Sequence, residues 1–199
     1  MSKTNKFNIP KEVSHVTEAL ENAGFEAYIV GGCVRDLLIG KTPKDWDITT
    51  NAKPEDVEKL FDNTYYNNDY GTVGVVNENV SDETLKVVEV TPYRLESEYS
   101  DARRPDSVEF SDSIEHDLHR RDFTINAIAY SESKGQIIDL YEGQKDIQYG
   151  IIRAVGDPDV RFGEDALRIL RAIRISAELD FKIEGKTKKA IKSVSLDIV

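Results

Sequence analysis

Apolar positions recur along this chain in two rhythms, and the second takes over in its last quarter. In residues 10–24, Val13, Val16 and Leu20 stand at helical spacing between Pro10 and Gly24, which predicts a helix with a glycine stop. Residues 25–30 form a short apolar run broken by Gly31 and Gly32, a strand candidate, and residues 34–39 then read as a helix ended by Gly40. Residues 46–50 suggest a second strand and 54–61 another helix. Residues 71–77 and 85–93 are rich in β-branched side chains with period-two alternation, which predicts two further strands. Residues 94–113 are polar and read as a mobile loop leading to a short strand at 108–110. The segment 116–130 reads as one partly buried helix and 137–140 as a strand. After Gly156-Asp157-Pro158 the pattern turns helical: 160–179 is a single amphipathic helix and 186–194 opens another. The order is α+β followed by helices, with a change of domain within 140–158 that we place between 1–145 and 146–199.

Composition narrows the class. The 199 residues are 39% hydrophobic and 32% charged, a soluble globular balance with enough chain to bury a core. No apolar run approaches the roughly 18 residues of a membrane span, and the N-terminal residues have no apolar stretch of the secretory kind. Cys33 is the one cysteine, so no internal disulfide forms; this fits a reducing, cytoplasmic location. The net charge of −11 argues against a nucleic-acid binder. However, ten of the eleven arginines lie between Arg94 and Arg174, which permits a local basic surface on an acidic body. Scattered solvated arginines would give the same count.

Five segments carry candidate chemistry. In 28–40, a strand runs into Gly31 and Gly32 and then a helix bearing Arg35. Glycines admit a ligand to the backbone and a forked cation grips phosphate, although a plain tight turn with an Arg35–Asp36 ion pair reads the same way. Neither of the common glycine-rich nucleotide-binding patterns is present. Asp45 and Asp47 sit two apart on a strand candidate and so share a face, where their repulsion calls for a cation such as Mg²⁺. Glu89 alternates with Val88 and Val90; it is either an outward edge residue or a third carboxylate facing the aspartates.

In 118–127, Arg120, Arg121, Asp122 and Asn126 stand together at what reads as the start of a helix. They are suited to phosphate and ribose or, more plainly, to a cap and ion pairs. His119 reads as structural. Finally, Asp165, Arg168, Arg171 and Arg174 recur every third residue and make a slowly turning stripe beside an apolar flank of Leu167, Leu170, Ile173 and Ala177. The stripe is either a solvated charged face or a recognition edge, in which a carboxylate and guanidinium forks read the rim of a base.

Taken in order, GGCVRDLLIG, KDWDITT, VVEVTPYR, LHRRDFTINAIAY and GEDALRILRAIR resemble class II tRNA nucleotidyltransferases, the CCA-adding enzymes, and the related bacterial poly(A) polymerases. The resemblance covers about residues 25–181. It implies a polymerase-β-like head with a mixed sheet and flanking helices, followed by the start of an all-helical neck. By similarity, Asp45 and Asp47 would bind two Mg²⁺ ions with Glu89 as third carboxylate. Gly31, Gly32, Arg35 and Arg121 would meet the nucleotide triphosphate, and Asp122 and Asn126 would shape the sugar pocket. Asp165 and Arg168 would pair with an incoming C or A, completed by Arg171 and Arg174. The implied partners are CTP, ATP and the 3′ end of tRNA or another RNA. A long segment at 93–110 favours enzymes able to add A. The A-adding tRNA enzymes and poly(A) polymerases remain alternatives, as does a non-catalytic nucleotide- or RNA-binding module. Members of this family continue into body and tail domains that hold the tRNA acceptor arm, so a piece that binds RNA weakly is expected.

Overall fold

A computed structural model describes residues 7–66, 71–96 and 108–197. The chain opens with α1 (Lys11–Asn22), β1 (Ala27–Val30), α2 (Gly32–Leu38), β2 (Trp46–Thr50) and α3 (Pro54–Leu60). Four strands follow: β3 (Thr64–Tyr66), β4 (Val73–Val76), β5 (Val87–Pro92) and β6 (Arg94–Glu96). After β7 (Val108–Phe110) come α4 (Ile114–His119), β8 (Ile128–Ser131), β9 (Gln136–Asp139), α5 (Gly143–Tyr149) and β10 (Ile151–Ile152). The last elements are α6 (Pro158–Glu164), α7 (Leu167–Leu179), β11 (Lys182–Ile183) and α8 (Gly185–Asp197). No helix among the described residues is long and apolar enough to cross a membrane.

Seven strands form one mixed sheet in the order β3-β4-β5-β2-β1-β8-β9, in which only β2 and β5 run parallel. Period-two alternation gives the sheet two unlike faces. Ile29, Ile48, Val73, Val75, Val88 and Val90 turn to one face and pack against Val13, Val16 and Leu20 of α1 and Val57 of α3. On the other face Tyr28 and Val30 pack with Tyr93, Ile114 and Leu118. That second cover is partial, and it leaves the polar members of β2 and β5 facing a cavity.

Three expectations from the sequence are corrected. Residues 116–130 are not one helix: α4 stops at His119, a single 3-10 turn spans Thr124–Asn126, and β8 enters the sheet between β1 and β9. The run Ile128-Ala129-Tyr130 is fully buried between two strands, and that burial overrides a helical pattern. The arginines at 120 and 121 thus close a helix rather than open one. Residues 160–179 are likewise two helices. Asp165 is extended at φ −142°, and its Oδ1 accepts from the Leu167 amide at 2.9 Å, which starts α7 afresh. Lastly, Leu167, Leu170 and Ile173 are exposed, and α7 instead buries Ile169, Ala172 and Ile175 against Phe123, Ile125, Ile152 and Phe162. Residues 97–107 of the expected loop lie outside the described residues.

This assignment of faces gives a direct contrast. Ile175→Ala should cost about 2–5 kcal/mol in urea unfolding, whereas Ile173→Ala, about 200° round the helix, should stay within about 0.5 kcal/mol of the parent. Equal losses would place the buried face of α7 wrongly.

Candidate active site

Four parts of the chain converge on one cavity of about 920 Å³. The turn into α2 supplies Gly31, Gly32 and Arg35; the entry to β2 supplies Asp45 and Asp47. The segment after α4 supplies Arg121, Asp122 and Asn126, and α7 with its preceding break supplies Asp165, Arg168, Arg171 and Arg174. Every residue proposed from the sequence to bind metal or nucleotide lines this cavity except Glu89, which stands beside Asp47 as its register partner on the neighbouring parallel strand.

The carboxylates sit at the floor. Trp46 is buried in the core behind them, so Asp45 and Asp47 fall on the open side, as residues two apart on a strand must. Asp45 is exposed and Asp47 half-buried. The Asp47 carboxyl is pushed up to about 6, chiefly by burial; Arg121 opposes the rise and the negative neighbours Glu89 and Asp45 add to it. Among the described residues, no three His, Cys, Asp or Glu side chains converge tightly enough to hold a metal ion by themselves. Two carboxylates with excess negative charge still fit a Mg²⁺ ion, which takes one or two of them together with phosphate and water oxygens.

Gly31 stands beside Asp47. It has φ +87°, a conformation that L side chains rarely adopt. A Cβ built there would lie 3.1 Å from Arg121 Nη1 and 3.7 Å from Asp47 Oδ2. The glycine is therefore required twice, by its backbone angle and by the approach of the guanidinium.

Arg121 is held in that position by a residue overlooked in the sequence. Asp117 is fully buried, and its Oδ2 accepts from Arg121 Nε at 3.2 Å and Nη2 at 2.8 Å. Its Oδ1 accepts from Nε of Arg120 at 3.0 Å and also from Nη2. Gripping the Nε edge of Arg121 turns Nη1 toward Gly31 and Asp47. Burial alone would raise the Asp117 carboxyl, but Arg121 and Arg120 outweigh it and bring it down to about 2. The spacing of three and four residues from Asp117 to the two arginines was the available signal.

A second chain of contacts crosses the cavity. Arg35 donates to Asp36 Oδ1 from Nε at 2.9 Å and to Asn126 Oδ1 from Nη1 at 2.8 Å. Asn126 Nδ2 donates to Asp122 Oδ1 at 3.2 Å, which also accepts from the Phe123 amide at 2.8 Å. Asp122 Oδ2 accepts from Arg171 Nε at 2.7 Å, 49 positions along the chain. The Asp122 carboxyl is accordingly lowered, its burial offset mainly by Arg171. Asp122 is thus the ion-pair partner of Arg171.

The arginines of α7 differ in setting. Arg168 is buried; its Nη1 donates to Glu164 Oε2 at 2.8 Å and its Nη2 to the Arg120 carbonyl at 3.2 Å. Arg174 is exposed at the rim. Three residues advance the helix by 300°, so the stripe turns from the interior at 168 to solvent at 174. His119 takes no place in the cavity lining; its Nδ1 lies 3.0 Å from the Tyr141 hydroxyl, in keeping with a structural part.

A family model described as the poly A polymerase head domain matches residues 27–153. The CCA-adding enzyme of Ligilactobacillus salivarius is 49% identical to this chain over 192 residues, covering 94% of the chain and 46% of that protein. The CCA-adding enzyme of Leuconostoc mesenteroides is 51% identical over 173 residues, covering 86% and 41%. Among solved structures, the Bacillus stearothermophilus CCA-adding enzyme in complex with CTP superposes with a TM-score of 0.79 at 40% identity, over 96% of this chain and 43% of that one. A tRNA nucleotidyltransferase complexed with a primer tRNA and an incoming ATP analog gives 0.72 at 33% identity, over 92% and 51%. The chain spans about half the length of these relatives or less. The mixed sheet with flanking helices expected from the resemblance is the architecture it shares with them.

Asp117→Asn should destabilise the protein by about 3–5 kcal/mol in urea, because it breaks a buried ion pair and strands two guanidinium groups. The effect has a defined pH range. A carboxyl lowered from 3.8 to about 2 contributes its full stability above its ordinary value and loses it as pH falls through 2. The gap between parent and variant should therefore narrow by about 2 kcal/mol between pH 4 and pH 2; a gap that does not narrow over that range would contradict the pairing. Gly31→Ala should also lose at least about 1 kcal/mol from backbone strain, read as a lower urea midpoint.

Proposed function

Since the chain belongs to the poly A polymerase head domain family, we propose that it carries the nucleotidyl-transfer centre of an enzyme that adds C and A to tRNA 3′ ends. CTP and ATP would be the donors and pyrophosphate the leaving product. The observation that supports this reading most is the sharing of one cavity by the Asp45–Asp47 pair and by Asp165, Arg168 and Arg171. Acidic groups suited to phosphoryl chemistry and planar donor–acceptor groups suited to a base edge would then act on the two ends of one nucleotide.

In the reaction, the RNA 3′ oxygen forms a bond to the α-phosphorus, the α–β phosphoanhydride bond breaks, and pyrophosphate departs. The family generally uses divalent metal ions, and we take Asp45 and Asp47, with Glu89 adjacent, as the groups that would hold two Mg²⁺ ions. Such ions, when bound, lower the hydroxyl pKa and neutralise the leaving group. The side chains do the rest by position. Gly31 leaves room for the triphosphate beside Arg121 Nη1, and Arg35, braced on Asp36 and Asn126, presents a fixed charge to it. Asp122 and Asn126 border the sugar and set Arg171 at the base end. Asp165 and Arg168 would face the base. Glu164 holds Arg168 in place, which makes the donor directions fixed before the nucleotide arrives. We take residues 1–145 as the transfer unit and 146–199 as the start of the base-reading unit, in a protein acting in the cytoplasm.

The test is incubation with tRNA lacking its 3′ CCA, Mg²⁺ and CTP alone, ATP alone, or both. Addition of C from CTP followed by A only when both are present supports the reading. A from ATP alone onto any RNA points to poly(A) synthesis, and A only on tRNA already ending in CC points to the A-adding enzymes. Asp47→Ala should reduce incorporation by at least about a thousandfold while the urea midpoint holds. Arg168→Ala should blur the choice between C and A more than it slows total incorporation.

A further inference from the structure

Arg161 lies within α6 with its side chain turned inward. It is 9% exposed, and among the described residues its Nε is the one buried side-chain nitrogen or oxygen without a hydrogen-bond partner. A buried donor with no acceptor works against folding, so such an atom calls for a reason.

The contacts of Arg161 lead to the base end of the cavity. Its Nη1 lies 3.2 Å from Glu164 Oε2. The same oxygen accepts from Arg168 Nη1 at 2.8 Å. Arg168 Nη1 also donates to the Arg161 carbonyl at 3.4 Å, and so does the Asp165 amide, at the same distance. Arg161 therefore meets Arg168 twice, through its own backbone and through the carboxylate between them. The three residues close a ring of contacts that spans the break between α6 and α7. Arg168 lines the nucleotide cavity; Glu164 and Arg161 stand behind it.

Stability does not account for this arrangement. Two guanidinium groups that share one carboxylate oxygen repel each other, and the carboxylate balances only one of their charges. An apolar side chain of similar length would fill the same space without the stranded Nε. What Arg161 contributes is direction. A carboxylate claimed by one guanidinium alone can swing with it. Held from two sides, Glu164 stays in place and does not neutralise Arg168 entirely. Arg168 then keeps both a fixed angle and a positive charge toward the cavity.

We propose that Arg161 is a positioning residue for base choice, which sets through Glu164 the angle at which Arg168 meets the edge of the incoming base. The proposal rests on the transfer reading above and gives that reading a specificity determinant outside the cavity.

The experiment compares CTP with UTP, which differ at the base edge alone. Equilibrium binding of each is measured by calorimetry with Mg²⁺ and no RNA, and kcat/KM for each is measured on tRNA lacking its 3′ CCA. In Arg161→Met the preference for CTP should fall roughly five- to twentyfold in both measurements, while the urea midpoint holds or rises. Arg161→Lys, which keeps a cation within reach of Glu164, should retain the preference within about threefold of the parent. In an Arg168→Ala background, Arg161→Met should change the preference by less than about twofold, because the two act in series. Glu164→Gln, which keeps the volume and removes the shared charge, should lose the preference as Arg161→Met does. An unchanged preference in Arg161→Met or Glu164→Gln would overturn the proposal. So would a lowered urea midpoint with both nucleotides weakened alike, the mark of a purely structural residue. If the parent binds CTP over UTP, Arg161→Met loses that preference, and neither nucleotide is incorporated, the positioning role stands and the transfer reading fails. If nucleotides are incorporated with the parent preference in Arg161→Met, the reverse holds.

Discussion

Two carboxylates, Asp47 and Glu89, stand side by side on adjacent parallel strands, and the charges around them are arranged in answer to their repulsion. Arg121 supplies the nearest positive charge, and Asp117 in turn balances Arg121 from within the protein. On the other side Arg171 adds a weaker positive field, and Asp122 balances Arg171. Sign alternates along both paths, each reaching a buried carboxylate behind its arginine. The arginines nearest the carboxylates are therefore anchored from behind, and their front edges stay in place without collapsing onto the acids. In the proposed reaction a cation and a triphosphate would meet charges that are already in place.

The same wiring joins parts of the chain that are remote in sequence. Asp122 follows α4, whereas Arg171 belongs to α7, and the apolar contacts of Phe123 and Ile125 with Ile169 and Ile175 lie directly beneath that ion pair. Packing and charge thus hold α7 against residues 122–125 and β10. An ion pair whose guanidinium is half open to solvent adds orientation more than net stability, since solvent screens much of its attraction.

Much of this was legible in the residues alone. Asp45 and Asp47 flank a core tryptophan, and period two was enough to put both on the open side. Gly31 announced a conformation that only glycine adopts readily. What escaped were properties set by distant partners. Ile128, Ala129 and Tyr130 fit a helical period as well as a strand, and only the vacancy between β1 and β9 decides. In α7 both apolar stripes are plausible by spacing; the choice of Ile169, Ala172 and Ile175 depends on the cluster that the 3-10 turn brings to them. Asp117 looked like one more charge on a polar segment because burial cannot be seen in a chain of letters.

The interruption at Asp165 has a mechanical meaning. An unbroken rod from 158 to 179 would carry any twist at one end to the other through its ladder of backbone bonds. Here the ladder stops, and one carboxylate holding the Leu167 amide bridges the gap. The azimuth of α7 is then set by the side chains it meets rather than by a continuous backbone, Glu164 and Phe162 of α6 among them, so a change at those contacts would retune which edge α7 presents.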